Sequence, residues 1–198
     1  MTTDPGDGAG RPAPSNSSQT NPSRPRRGRR AQPPVGTLAP EEQRARAHEA
    51  ALRLLGVRER STAEIKQRLR QKGYDPFVVE QVVSRLTEVG LLDDQRFAER
   101  FASEATAGRA FASRRVRTEL LKKGIDRDLA AVAATRDPDE EEDQARALAR
   151  ARAGRMQSLS PDARARRIMS LLARRGYDAD VCRRIASEVA GWDETSEE

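Results

Sequence analysis

The chain has 198 residues, 34% charged, 36% hydrophobic and only 4% aromatic, with a formal net charge of +6. So few rings argue against one large aromatic-rich core and suit thin helical modules better than a sandwich or a doubly wound sheet. The single cysteine, Cys182, excludes an intrachain disulfide. No apolar run approaches the roughly 18 residues that span a bilayer, and the first residues offer Gly, Pro, Ser and Asn where a secretory signal has an apolar stretch. The expectation is a cytoplasmic protein with no membrane attachment.

Charge is spread unevenly. Residues 1–40 carry a net +4, 41–92 carry +2, 93–138 carry +2 and 139–198 carry −2. Mildly basic, Arg-rich modules fit contact with nucleic acid or a nucleoprotein. Arg outnumbers Lys 33 to 4, a bias that a GC-rich genome alone would also produce.

Residues 1–40 have almost no large apolar side chains and cannot bury enough surface to offset ordering entropy, so they are expected to be a disordered basic tail. Within it, "RPRRGRR" at 24–30 is either a phosphate-brushing cluster or a solubilising segment. A first helix follows from about 41 to 56, with Ala47, Ala51, Leu54 and Leu55 on one side, and it stops at Gly56. Ser61-Thr62-Ala63-Glu64 has the pattern of a capping box that opens the next helix. Gly90 ends the third helix, Asp93 or Asp94 can cap the fourth, and Phe97, Phe101 and Ala105 form its apolar stripe. Asp137-Pro138 is a cap followed by a first-turn proline, and Ser160-Pro161 repeats that device before a middle helix about one turn longer than that of the first copy.

An internal repeat organises these elements. Gly73, Gly124 and Gly176 lie 51 and 52 residues apart in "RLRQKGYD", "ELLKKGID" and "LLARRGYD". Eight residues before each stands Ile65, Val116 or Ile168, and four before stands Leu69, Leu120 or Leu172. A base precedes each glycine (Lys72, Lys123, Arg175), and two residues after it comes Asp75, Asp126 or Asp178. Leucine and the upstream aliphatic share a helix face, glycine supplies a left-handed turn, and aspartate caps the next helix. The pattern predicts an all-α chain of three tandem three-helix, helix-turn-helix-like modules at 41–92, 93–136 and 137–190, stacked as an elongated, curved array. An acidic C-terminal tail would occupy 191–198.

Motifs for chemistry are missing from the sequence. It holds no GxxxxGK[ST] and no GxGxxG, and its one His and one Cys are far apart. Cys182 falls where the other copies have Val79 and Ala130, and reads as a small core residue; His48 reads as part of a solvated face. No enzyme, cofactor or metal is expected. What remains is a cationic surface. Arg114, Arg115 and Arg117 sit near a helix start, where positive charge opposes the helix dipole and an anionic partner would compensate it. Arg109 lies just ahead, Lys122 and Lys123 follow at the helix end, and Arg166 and Arg167 are the corresponding bases of the third copy. These eight residues are the candidate partner-binding set.

The stretches "RSTAEIKQRLRQKGYD", "VVSRLTEVGLLDDQRFAERFASEATAG" and "RRVRTELLKKGID" resemble the RecX family of regulators of the RecA recombinase, over about 44–190. The family pattern is met at Ser61, Glu64, Leu69, Gly73, Leu92, Asp94, Phe97, Gly108, Glu119, Leu120, Gly124 and Ile125. The chain departs from it at Ala112, followed by Ser113, where the family usually has a glycine four residues before the aliphatic. The resemblance implies a non-enzymatic inhibitor that binds the RecA filament on single-stranded DNA and restrains its ATPase, strand-exchange and co-protease activities. It also implies direct contact with single- or double-stranded DNA in some members, and a monomer is expected here. Two alternatives stand beside it: a helix-turn-helix DNA-binding regulator and a helical-repeat adaptor. The first would read bases from the helix after each glycine, where bases are sparse: only Arg85, Arg127 and Arg136 in the first two copies.

Overall fold

The computed structural model describes residues 38–191, so the expected basic tail and acidic end lie almost wholly outside the described residues. Within them the chain forms nine helices and no strand. The first set is α1 (Pro40–Leu55), α2 (Thr62–Gln71) and α3 (Pro76–Glu88). The second is α4 (Asp94–Arg109), α5 (Ser113–Lys122) and α6 (Arg127–Ala134), and the third is α7 (Pro138–Ala153), α8 (Pro161–Arg175) and α9 (Ala179–Ala190). Helices pack within their own set, giving three three-helix modules.

Each module has its own apolar cluster. Ile65, Leu69, Val79 and Leu86 centre the first, Val116, Leu120 and Ile125 the second, and Ile168, Leu172, Tyr177 and Ile185 the third. The aliphatic and leucine placed by the repeat are almost completely buried in all three copies. Burying each such side chain stabilises the fold by about 1.5–3 kcal/mol. Small alanines (Ala47, Ala98, Ala145) fill much of the remaining interface on the first helix of each module, joined in α4 by Phe97 and Phe101.

The three corners are built alike. The amide of the residue after glycine donates to the carbonyl of the repeat leucine: Tyr74 to Leu69, Ile125 to Leu120, Tyr177 to Leu172. Gly73, Gly124 and Gly176 take φ of 84°, 75° and 96°, and Asp75, Asp126 and Asp178 then cap α3, α6 and α9 through amides of the first turn.

Several sequence expectations are refined. The capping box at Ser61 is only half formed: Ser61 Oγ accepts from the Glu64 amide at 3.1 Å, but the Glu64 carboxylate turns to Arg58 and Lys123. Asp93 caps α4, which frees Asp94 for another use. Ala112, which stands where the family favours glycine, has an ordinary φ of −70° as the residue preceding α5. The left-handed position in that loop is Ala110, at φ 48°. His48 is half-buried, not on a solvated face. Cys182 is a buried free thiol, and burial raises its pKa.

Candidate functional site

The repeated corner is also where one module meets the next. At the first joint Ser61 Oγ donates to the Lys123 carbonyl at 2.5 Å. At the second, the Ala112 amide donates to the Arg175 carbonyl at 3.0 Å. Both donors belong to the residue preceding the middle helix of one module, and both acceptors belong to the base before the repeat glycine of the following module. A second bond accompanies the first in each case. The Thr62 amide donates to Asp94 Oδ1 at 2.8 Å, and the Ser113 amide donates to Glu141 Oε2 at 2.9 Å. Thr62 and Ser113 are the first residues of α2 and α5, so each following module supplies a carboxylate to an otherwise unsatisfied helix start.

Glycine has a second role at these corners. A Cβ on Gly124 would fall far inside van der Waals contact with the Ala63 side chain, and one on Gly176 would overlap Arg115. At Gly73, in the first of the described modules, a Cβ would meet nothing within 4 Å.

This joint absorbs half of the candidate cations. Arg114 Nε donates to the Gly176 carbonyl at 3.3 Å. Arg115 pairs with Glu119 at 2.8 Å, lies 5.5 Å from the Phe111 ring centroid and packs on Gly176. Lys123 Nζ donates to Glu64 Oε1 at 3.3 Å and sits over Phe101 at 5.3 Å. Arg109 stacks between Phe101 and Phe111, at 5.2 and 4.9 Å, and its carbonyl accepts from Arg175. The rings of Phe101 and Phe111 thus gather Lys123, Arg109, Arg115 and Arg175 into a cation–aromatic ladder. The anion that the α5 start requires is found inside the molecule, at Glu141.

Arg117, Arg166 and Arg167 remain without a hydrogen-bond or ion-pair partner among the described residues, and Lys122 makes only an exposed pair with Glu119 at 3.2 Å. Among the described residues no hydrogen bond or ion pair joins Arg166 and Arg167 on α8 to the α5 set. Among the described residues no group of three or more His, Cys, Asp or Glu side chains could hold a metal, and no helix is long and apolar enough to cross a membrane.

The sequence reading missed Asp94 and Glu141 as joint residues because acids at helix starts have a sufficient local explanation. A signal was present: each lies four residues before a fully buried alanine, Ala98 or Ala145, and α1 has Gln43 in the same relation to Ala47.

Tyr177 closes the second joint. Its hydroxyl donates to the Ala110 carbonyl at 3.1 Å and lies 3.3 Å from Gln144 Oε1, while Gln144 Nε2 donates to the Thr106 carbonyl at 3.0 Å. Burial first, then the nearby Glu141 charge, pushes the phenol up to about 12, so it stays protonated at neutral pH.

Three three-helix modules locked by a repeated joint define a tandem helical-repeat protein. Models of the first, second and third three-helix domains of RecX match residues 47–86, 93–133 and 139–185 respectively. Regulatory protein RecX of Thermobifida fusca (strain YX) is 39% identical, over 79% of this chain and 85% of that protein. The protein of the same name from Mycobacterium leprae (strain Br4923) is 38% identical over 79% of this chain and 92% of its own. The crystal structure of RecX from Lactobacillus salivarius superimposes with a TM-score of 0.64, covering 75% of this chain and 97% of that one at 22% identity, a likeness of fold. The chain belongs to the RecX family.

Proposed function

We infer that this protein restrains the RecA recombinase by binding its filament on single-stranded DNA, and that it does so as an inhibitor of ATP hydrolysis, strand exchange and co-protease activity without catalysis of its own. The observation that carries the reading is the complete, ordered set of three RecX three-helix domains in one chain. The bases available to an acidic or phosphorylated partner are Arg117, Lys122, Arg166 and Arg167. Arg109, Arg114, Arg115 and Lys123 contribute mainly by holding the modules in register. Several weak contacts on linked modules add through effective concentration, which suits a partner that itself repeats.

The direct test adds the protein to RecA, single-stranded DNA and ATP, and follows ATP hydrolysis and filament length. Suppression of hydrolysis at near-stoichiometric protein is expected; no effect there would sink the reading. A helix-turn-helix regulator is less well supported. Bases on the post-glycine helices are sparse, and α6 has only eight residues, several of them buried or half-buried.

A further inference from the structure

The internal joint has two halves, and each half is present once more without a partner among the described residues. The corner of module 1 is bare there: Gly73 faces open space, and Lys72 has no ion-pair partner among the described residues. Among the same residues no module packs on the start of α8. There Ser160 Oγ accepts from the Ala163 amide at 3.3 Å, as Ser61 Oγ accepts from Glu64 at 3.1 Å, and the Ser160 hydroxyl hydrogen is free to donate outward. Asp162, in the first turn of α8, has no partner among the described residues either.

The two bare halves differ from the internal ones in matching ways. The first residue of α8 is Pro161, which has no N–H, where Thr62 and Ser113 donate to the next module's acid. The residue of α1 that corresponds to Asp94 and Glu141 is Gln43, which is buried and turned inward. Its Oε1 accepts from the Asp75 amide at 3.2 Å and its Nε2 donates to the Leu38 carbonyl at 3.1 Å. One end lacks the donor, and the other lacks the acceptor that donor would need. An internal joint with only one of these changes would leave a polar group unpaired, whereas a joint with both leaves none.

We propose that the Lys72–Gly73 corner of one molecule receives the Ser160–Asp162 start of α8 from a second copy, so that molecules associate head to tail through a third version of the internal joint. Ser160 Oγ donates to the Lys72 carbonyl, as Ser61 Oγ does to Lys123. Lys72 pairs with Asp162, which stands at the position of Ala63, one residue before that of Glu64, the partner of Lys123. The surface is not self-complementary, so the contact is heterologous and propagates instead of closing a dimer. It is small, which places it among weak associations of roughly millimolar strength in free solution. This departs from the monomer expected from sequence.

Sedimentation velocity of the full chain alone, up to roughly millimolar concentration, tests the proposal without RecA, so its failure is separate from failure of the proposed function. Wild-type protein should show a sedimentation coefficient that rises steadily with concentration. Lys72→Glu and Asp162→Lys should each abolish the rise, weakening association by about tenfold or more because like charges then face each other. The chain carrying both substitutions should regain it. Circular dichroism and melting serve as the folding control, since neither side chain has a partner among the described residues. A wild-type coefficient that stays flat, or single variants that associate as wild type does, would overturn the proposal.

Discussion

Ala110 is the one residue other than glycine with a positive φ among those described. A side chain there costs about 1–2 kcal/mol, so Ala110→Gly is expected to raise stability to urea by about 1 kcal/mol, with the Tyr177 bond to its carbonyl kept. The repeat glycines give a sharper comparison. Gly73→Ala should cost about 1 kcal/mol, the conformational penalty alone. Gly124→Ala and Gly176→Ala should each lose a further 1–3 kcal/mol or so, because the added methyl overlaps the neighbouring module. Equal losses at all three positions in urea titrations would refute the role of the corner in joining modules. The left-handed turn at these glycines was legible in the sequence because it is set by local backbone sterics. The crowding at two of the three was not, since it depends on contacts about 60 residues apart in the chain, between Gly124 and Ala63 or Gly176 and Arg115.

At the scale of elements, the joints are polar and their strength is tied to carboxylates. Replacing Glu141 with Ala removes the cap from the Ser113 amide and hydroxyl and should cost about 1–2 kcal/mol, measured by chemical denaturation. The first joint depends on Glu64. Burial pushes its carboxyl upward, but hydrogen bonds and charge from Arg58 and Lys123 outweigh that and hold it below its ordinary value. A carboxyl depressed in the folded state contributes stability that is fully present above its unfolded pKa and is lost as pH falls through the folded one. Melting temperature should therefore drop more steeply in wild type than in Glu64→Gln as pH falls below about 4.5. Helix positions and caps were readable from sequence at Ser61, Asp75, Asp126 and Ser160, where signals are local. The use of Asp94 was not, because either Asp93 or Asp94 satisfies the same local rule and only the neighbouring module decides between them.

For the molecule as a whole, the distribution of free and engaged cations separates binding from stability. The triple substitution Arg117→Glu, Arg166→Glu, Arg167→Glu should weaken attachment to the RecA filament, reduce its salt dependence and leave melting unchanged. Arg114→Glu with Arg115→Glu should instead lower the melting temperature, because it strikes the second joint. From sequence alone all of these bases looked equivalent: their spacing shows which helix carries them and not which acceptor lies opposite. The three-module plan itself was fully legible, since a repeat of aliphatic, leucine, glycine and aspartate with caps in phase leaves little freedom in how the helices pair.

The fully buried Ala112 belongs to the apolar cluster of module 3, although it lies in the chain of module 2, whereas modules 1 and 2 share no such residue. A buried residue shared between clusters couples the local opening of the modules it joins. Native-state hydrogen exchange should therefore report two opening events, not three: amides of α2 and α3 exchanging with one free energy, and those of α5, α8 and α9 together with a higher one.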